Sequence, residues 1–154
     1  MTSASGNPPP DLNLPARFVA VFDSGVGGLS VLRELHSALP HVPIVYYADQ
    51  AHMPYGPQPA DAIHEWVEAA VRWLIERGAQ VVVLACHSAS ATSLYRLRDE
   101  FPDTPFVGLE PAVKPAAEAT HSGVIGVLST QVTAEGELYQ RVVERYARQQ
   151  RVIT

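Results

Sequence analysis

Two reactive residue types are almost missing from this chain: it has one cysteine, Cys86, and one lysine, Lys114. A single cysteine excludes an internal disulfide and fits a reducing, cytoplasmic setting. A single lysine leaves one candidate for a Schiff base to a pyridoxal cofactor. No basic run stands out, and the formal net charge is −5, so nothing marks a nucleic-acid partner. No apolar run approaches the ~20 residues of a membrane span, so no membrane partner is expected. The N-terminus lacks a charged-then-apolar signal pattern. Met1 to about Pro15 is polar and proline-rich instead and reads as a disordered tail.

Several motifs are also missing. Gly25-Val26-Gly27 begins a dinucleotide fingerprint, but Ser30 stands where its third glycine belongs. The Gly-Lys-Ser/Thr ending of a phosphate loop is absent. Six histidines are present without a ligand spacing that cysteines or carboxylates support, so no metal is expected. Ser24 and Ser88 lack the glycine–x–serine–x–glycine elbow of a serine hydrolase.

What remains is a soluble globular composition, 47% hydrophobic, with an alternating pattern. Phe18–Phe22, Ile44–Ala48, Val81–Ala85, Pro105–Leu109 and Val124–Leu128 are short β-rich runs and read as buried strands. Helical spacing follows each of them. Leu32, Leu35 and Leu39 share one face before Pro40. Ile63, Trp66, Val67, Ala70, Val71, Leu74 and Ile75 mark the clearest helix, closed by Gly78. Leu94, Leu97 and Phe101 mark a third, and an alanine-rich segment to about Thr120 a fourth, with Pro115 in its first turn or at a kink. A last helix is expected over Ala134–Arg148, and Val152-Ile153 could start another strand. Alternation of this kind predicts an α/β fold, a parallel sheet flanked by helices. The expected division is a first α/β domain over residues 16–110 and the start of a second over 111–154.

In such folds ligands sit beyond the carboxyl ends of the strands. That rule gathers Asp23-Ser24, Asp49, Tyr55-Gly56, Cys86-His87-Ser88 and Glu110 on one rim. Cys86 ends a strand just before a helix, where unpaired N–H groups and the helix dipole favour a thiolate. A buried structural thiol is the competing reading. Asp23 reads either as an acid/base group or as a helix cap. His52 and His87 read either as partners of the thiol or as solvated loop histidines.

The combination is more specific than its parts. Phe22-Asp23-Ser24-Gly25-Val26-Gly27-Gly28-Leu29-Ser30-Val31-Leu32 is followed by Tyr47-Ala48-Asp49, Pro54-Tyr55-Gly56 and Ala85-Cys86-His87-Ser88-Ala89-Ser90. Glu110-Pro111-Ala112-Val113-Lys114-Pro115-Ala116 and the spacing of Thr130, Thr133 and Tyr139 complete the series. From Arg17 onward the chain resembles the aspartate/glutamate racemase family, and within it the members that act on glutamate. The resemblance implies cofactor-independent interconversion of L- and D-glutamate, supplying D-glutamate for peptidoglycan. It implies a substrate held between two similar α/β domains, with one cysteine from each. By position Cys86 matches the first catalytic cysteine and Asp23 an aspartate that assists proton transfer. Ser24, Tyr55, Gly56, His87 and Ser88 match substrate-binding positions.

Two departures matter. The family has Asn-Thr after its first cysteine, whereas this chain has His87-Ser88, so a ring with a switchable proton replaces a neutral amide. The second cysteine of the family lies in a later Cys-Thr-His segment that this sequence does not contain. Racemisation without a mobile intermediate needs an acid/base group on each face of Cα. The expectation is a family member truncated in its second domain that exchanges the Cα hydrogen of one enantiomer but inverts it poorly alone. A homodimer is an open partner state. The alternatives are a single-cysteine decarboxylase or hydrolase of the same superfamily, and a non-catalytic remnant.

Overall fold

A computed structural model describes residues 12–154, and among them are six strands and six helices, alternating except for two consecutive helices near the C-terminal end. The first seven elements are β1 (Phe18–Asp23), α1 (Leu29–Ala38), β2 (Ile44–Ala48), α2 (Ala60–Glu76), β3 (Ala79–Leu84), α3 (His87–Glu100) and β4 (Phe106–Gly108). Their strands form one parallel sheet in the order β2-β1-β3-β4. The chain leaves β1 towards β2 and then crosses back to β3, so the topological switch point lies between β1 and β3. The register sets Phe22 beside Leu84, and the Ala85 N–H donates to the Phe22 carbonyl at 2.7 Å. The two strands therefore end level, which brings Asp23-Ser24 and Cys86 to the same crevice.

Alternation along β1 and β3 feeds two faces. Phe18, Ala20, Phe22, Val82 and Leu84 pack with Ile63, Val67, Val71 and Leu74 of α2 and with Leu94 and Leu97 of α3. Val21, Val83 and Ala85 face the other way, against Val31, Leu32 and Leu35 of α1. The first face is the heavier: α2 buries six residues, whereas α1 buries none completely. Each fully buried Leu, Ile, Val or Phe contributes about 1.5–3 kcal/mol relative to exposure. Gly78 closes α2 at φ +106°, and a Cβ there would meet the Ala16 carbonyl oxygen at 2.3 Å. Only glycine fits that position.

The remaining elements are α4 (Val113–Ala119), β5 (Val124–Gly126), α5 (Gln131–Glu135), α6 (Glu137–Tyr146) and β6 (Arg151–Ile153). β5 and β6 form a separate parallel pair, and Val113, Ile125, Tyr139, Val142 and Ala147 make a second, smaller core. Pro115 sits in the first turn of α4, where its missing N–H costs no hydrogen bond.

One expectation needs correction. The single helix over Ala134–Arg148 is broken: Gly136 is extended at φ −69°, ψ 142°, ending α5 and opening α6. A Cβ on Gly136 would lie 2.9 Å from the Ala91 Cβ, so tight packing on α3 fixes this break. Residues 1–11 of the expected tail lie outside the described residues. Leu14 packs against the main core. No helix among the described residues is long and apolar enough to cross a membrane.

Candidate active site

Cys86 occupies the N-cap position of α3, in extended conformation, and its carbonyl accepts from the Ser90 N–H at 2.9 Å. The thiol is partly exposed. Its Sγ lies 3.3 Å from the Ser24 Oγ, either of which can donate. Ser24 comes from the turn after β1, so the contact spans the switch point.

Asp23, the last residue of β1, is 4% exposed. Its Oδ2 accepts from the Gly28 N–H at 3.0 Å and from the Tyr46 hydroxyl at 3.0 Å. The Tyr46 hydroxyl also lies 3.3 Å from the Gly25 carbonyl oxygen. Gly28 immediately precedes α1. Asp23 thus satisfies an N–H at the helix entrance while it stands beside the crevice. Burial first, then the hydrogen bond to Asp23 and the charges of Asp23 and Cys86, push the Tyr46 phenol well above the usual tyrosine range.

Two clefts meet at Cys86. One, of about 430 Å³, is lined by Asp23, Ser24, Gly25, Cys86 and His87. The other, of about 570 Å³, has Cys86, Ser88, Thr130 and Thr133 on its polar wall and Val113 and Ile125 on its apolar wall. Ser88 is buried, and its hydroxyl lies 3.1 Å from the Thr130 Oγ1, which in turn lies 2.9 Å from the Thr133 Oγ1. His87 is exposed and lines both clefts at the entrance of α3.

The structure therefore brings Asp23, Ser24, Cys86, His87 and Ser88 together. Tyr55 and Gly56 line neither cleft. Tyr55 is 2% exposed, and its hydroxyl donates to the Asp49 Oδ2 at 2.5 Å. Burial, followed by that hydrogen bond and the Asp49 charge, raises its phenol far above the tyrosine range. Gly56 packs on Thr130, whose Cγ2 would be 2.8 Å from an added Cβ, so the loop braces the wall of the larger cleft.

His52 does not partner the thiol. Its Nδ1 lies 2.8 Å from the Asp49 Oδ2, and its ring stacks on Trp66 at 4.4 Å between centroids. Glu110 is exposed and lines neither cleft. Lys114 belongs to α4, with Nζ 5.6 Å from the centre of the Tyr146 ring, and also lines neither cleft. Sequence reasoning missed Tyr46, which sits in a buried-looking strand and reads there as a core aromatic. It noted Thr130 and Thr133 only as a spacing.

Away from the crevice, His64, Glu68 and Glu100 offer ligand atoms within 4.8 Å of one another. Protein partners already engage them: the His64 Nε2 lies 3.0 Å from the Glu100 Oε1, and Glu68 pairs with Arg72.

A thiol at the β1/β3 switch point, in a cleft also lined by a carboxylate and a serine hydroxyl, accompanies a family match. The Asp/Glu/Hydantoin racemase model matches residues 26–153. The chain belongs to this racemase family. Among its relatives, the glutamate racemase of Roseiflexus sp. (strain RS-1) is 50% identical over 132 residues, covering 86% of this chain and 48% of the relative. The glutamate racemase of Deinococcus radiodurans is 48% identical, covering 94% of this chain and 49% of the relative. The crystal structure of Escherichia coli glutamate racemase, a complex with L-glutamate and the activator UDP-MurNAc-Ala, superposes with a TM-score of 0.80 at 40% identity. That match covers 90% of this chain and 52% of the other. The chain thus spans about half the length of the curated racemases it matches.

Proposed function

We propose that this chain binds glutamate in the crevice at Cys86 and moves its Cα proton without a cofactor, in the service of D-glutamate supply for peptidoglycan. The observation that carries the reading is the convergence of Cys86, Ser24 and Asp23 at the switch point, with the thiol 3.3 Å from the Ser24 hydroxyl. The relatives are named glutamate racemases, and two structural neighbours hold L- and D-glutamate respectively.

In this reading the Cys86 thiolate is the base that takes the Cα proton. Asp23 stands ready to set its protonation. The N–H groups at the entrance of α3 and the hydroxyls of Ser24 and Ser88 hold the substrate carboxylates. His87 lies at the mouth of both clefts and tunes substrate preference or pH dependence. Residues 16–110 supply this half-site, and 111–154 supply the opposite wall. The Tyr55-Gly56 pair acts by shaping that wall. The setting is cytoplasmic. A homodimer is the partner state that would add a second Cys86.

The test is solvent exchange. Each enantiomer of glutamate is incubated with the chain in heavy water, and deuterium at Cα is followed by NMR. Exchange that disappears in Cys86→Ser supports the reading, whereas exchange unchanged in that variant removes Cys86 from the mechanism. Light scattering on the same sample tells a monomer from a dimer.

A further inference from the structure

Tyr46 stands behind the crevice in β2, beside Val21 of β1 in register, and touches neither cleft. Its ring packs with the smaller face of the main sheet, against the side that α1 covers. A phenylalanine would fill that space equally well, so packing alone does not account for the hydroxyl. The hydroxyl has one proton and two acceptors in reach, the Asp23 Oδ2 at 3.0 Å and the Gly25 carbonyl at 3.3 Å. The shorter contact, to the charged acceptor, is the stronger one.

We propose that Tyr46 is a positioning residue for Asp23. It fixes which carboxylate oxygen faces the crevice at Cys86. This inference rests on the function proposed above. The terminal torsion of an aspartate is broad and roughly two-fold, so an unrestrained carboxylate presents either oxygen. Here Oδ2 accepts both the Gly28 N–H and the Tyr46 hydroxyl, while Oδ1 takes no hydrogen bond from the described residues. Two donors on one oxygen lock the plane of the group and leave the other oxygen for the cleft that Asp23 lines. Gly28 makes room for this arrangement. A Cβ there would lie 3.0 Å from the Asp23 Cβ and 3.1 Å from the Tyr46 hydroxyl oxygen. A phenol keeps its proton throughout the neutral range, so the Tyr46 hydroxyl is a donor there. The tyrosine therefore acts through Asp23 and never touches the substrate.

The test uses Tyr46→Phe, Asp23→Asn and the double variant in the exchange assay. Loss of a hydrogen bond to a charged group predicts that Tyr46→Phe lowers kcat for exchange ~10- to 100-fold. KM stays within about twofold, because the lost interaction does not bind substrate. In the Asp23→Asn background the same change has no further effect. A raised KM with intact kcat, or losses that multiply in the double variant, would overturn the proposal. A second arm needs no activity. With ring-labelled tyrosine, the Tyr46 resonance keeps its protonated position at a pH where exposed tyrosines have titrated, and Asp23→Asn lowers its midpoint. A Tyr46 resonance that titrates with the others, or ignores Asp23→Asn, breaks the pair and the proposal with it. If the unaltered chain shows no exchange, the function proposed above fails, and the resonance arm still decides whether Tyr46 holds Asp23.

Discussion

The two clefts that share Cys86 are built differently. The smaller has a buried carboxylate, a serine hydroxyl and the glycine turn ahead of α1. The larger has a relay of hydroxyls, Ser88, Thr130 and Thr133, facing an apolar wall. Hydroxyls bind carboxylates but do not accept a carbon-bound proton near neutral pH, whereas a thiolate with a carboxylate beside it does. Apart from the shared Cys86 and His87, the titratable lining is Asp23, which belongs to the smaller cleft alone. The difference motivates the proposal of a one-sided proton-transfer device, with a binding wall opposite.

The largest effect is expected at the residue both clefts share. Cys86→Ser should lower Cα exchange by at least about 100-fold, the usual contribution of a positioned acid/base group, with the fold intact by circular dichroism. Retained exchange would break the comparison at its centre. On the Asp23 side, Gly28→Ala forces a Cβ to within 2.8 Å of the Ala85 Cβ. Overpacking of that kind predicts a loss of about 1–3 kcal/mol in denaturant unfolding. Gly27→Ala has open space around it and should stay within about 0.5 kcal/mol. Equal losses at the two glycines would show that the Asp23 wall is not tightly built. On the hydroxyl side, Ser88→Ala removes one neutral hydrogen bond to Thr130, worth about 0.5–1.5 kcal/mol by the same measurement.

The smallest effect at neutral pH belongs to the raised phenols of Tyr46 and Tyr55. Their folded values lie above the ordinary 10.0, so the folded state keeps these protons where the unfolded chain releases them. Their contribution is complete below pH 10 and declines as pH rises beyond it. Thermal melts should therefore show little tyrosine-linked change up to that pH and a fall above it, shallower in Tyr46→Phe. An alkaline slope unchanged by that substitution would mean that the Tyr46 phenol is not coupled to folding.

Much of this was legible in the sequence because the strands are short, β-branched and regularly separated by helical spacing. From that alternation alone, Asp23, Ser24 and Cys86 fall at strand ends, and the observed register places them together. The resemblance to the family implies roles for them, which the proposed function takes up. The support behind them was not legible. Tyr46 reaches Asp23 across 23 residues of sequence, and nothing local distinguishes it from Tyr47, which packs against the main core. His52 looked free to meet the thiol, but Asp49 and Trp66 hold it elsewhere. The apolar spacing of the last helix hid the break at Gly136, because that break arises from close packing on Ala91 of a different helix. Helical periodicity reports one face of one segment and carries no information about such a contact.

The most direct test of the one-sided device is to follow exchange and inversion together. L- and D-glutamate are incubated separately with the chain in heavy water, and Cα deuterium and enantiomer ratio are measured on the same samples. One enantiomer should gain deuterium in a Cys86-dependent way while the ratio stays near its starting value. Rapid inversion of both enantiomers by the monomeric chain would contradict the account, because it would require a second base on the hydroxyl side.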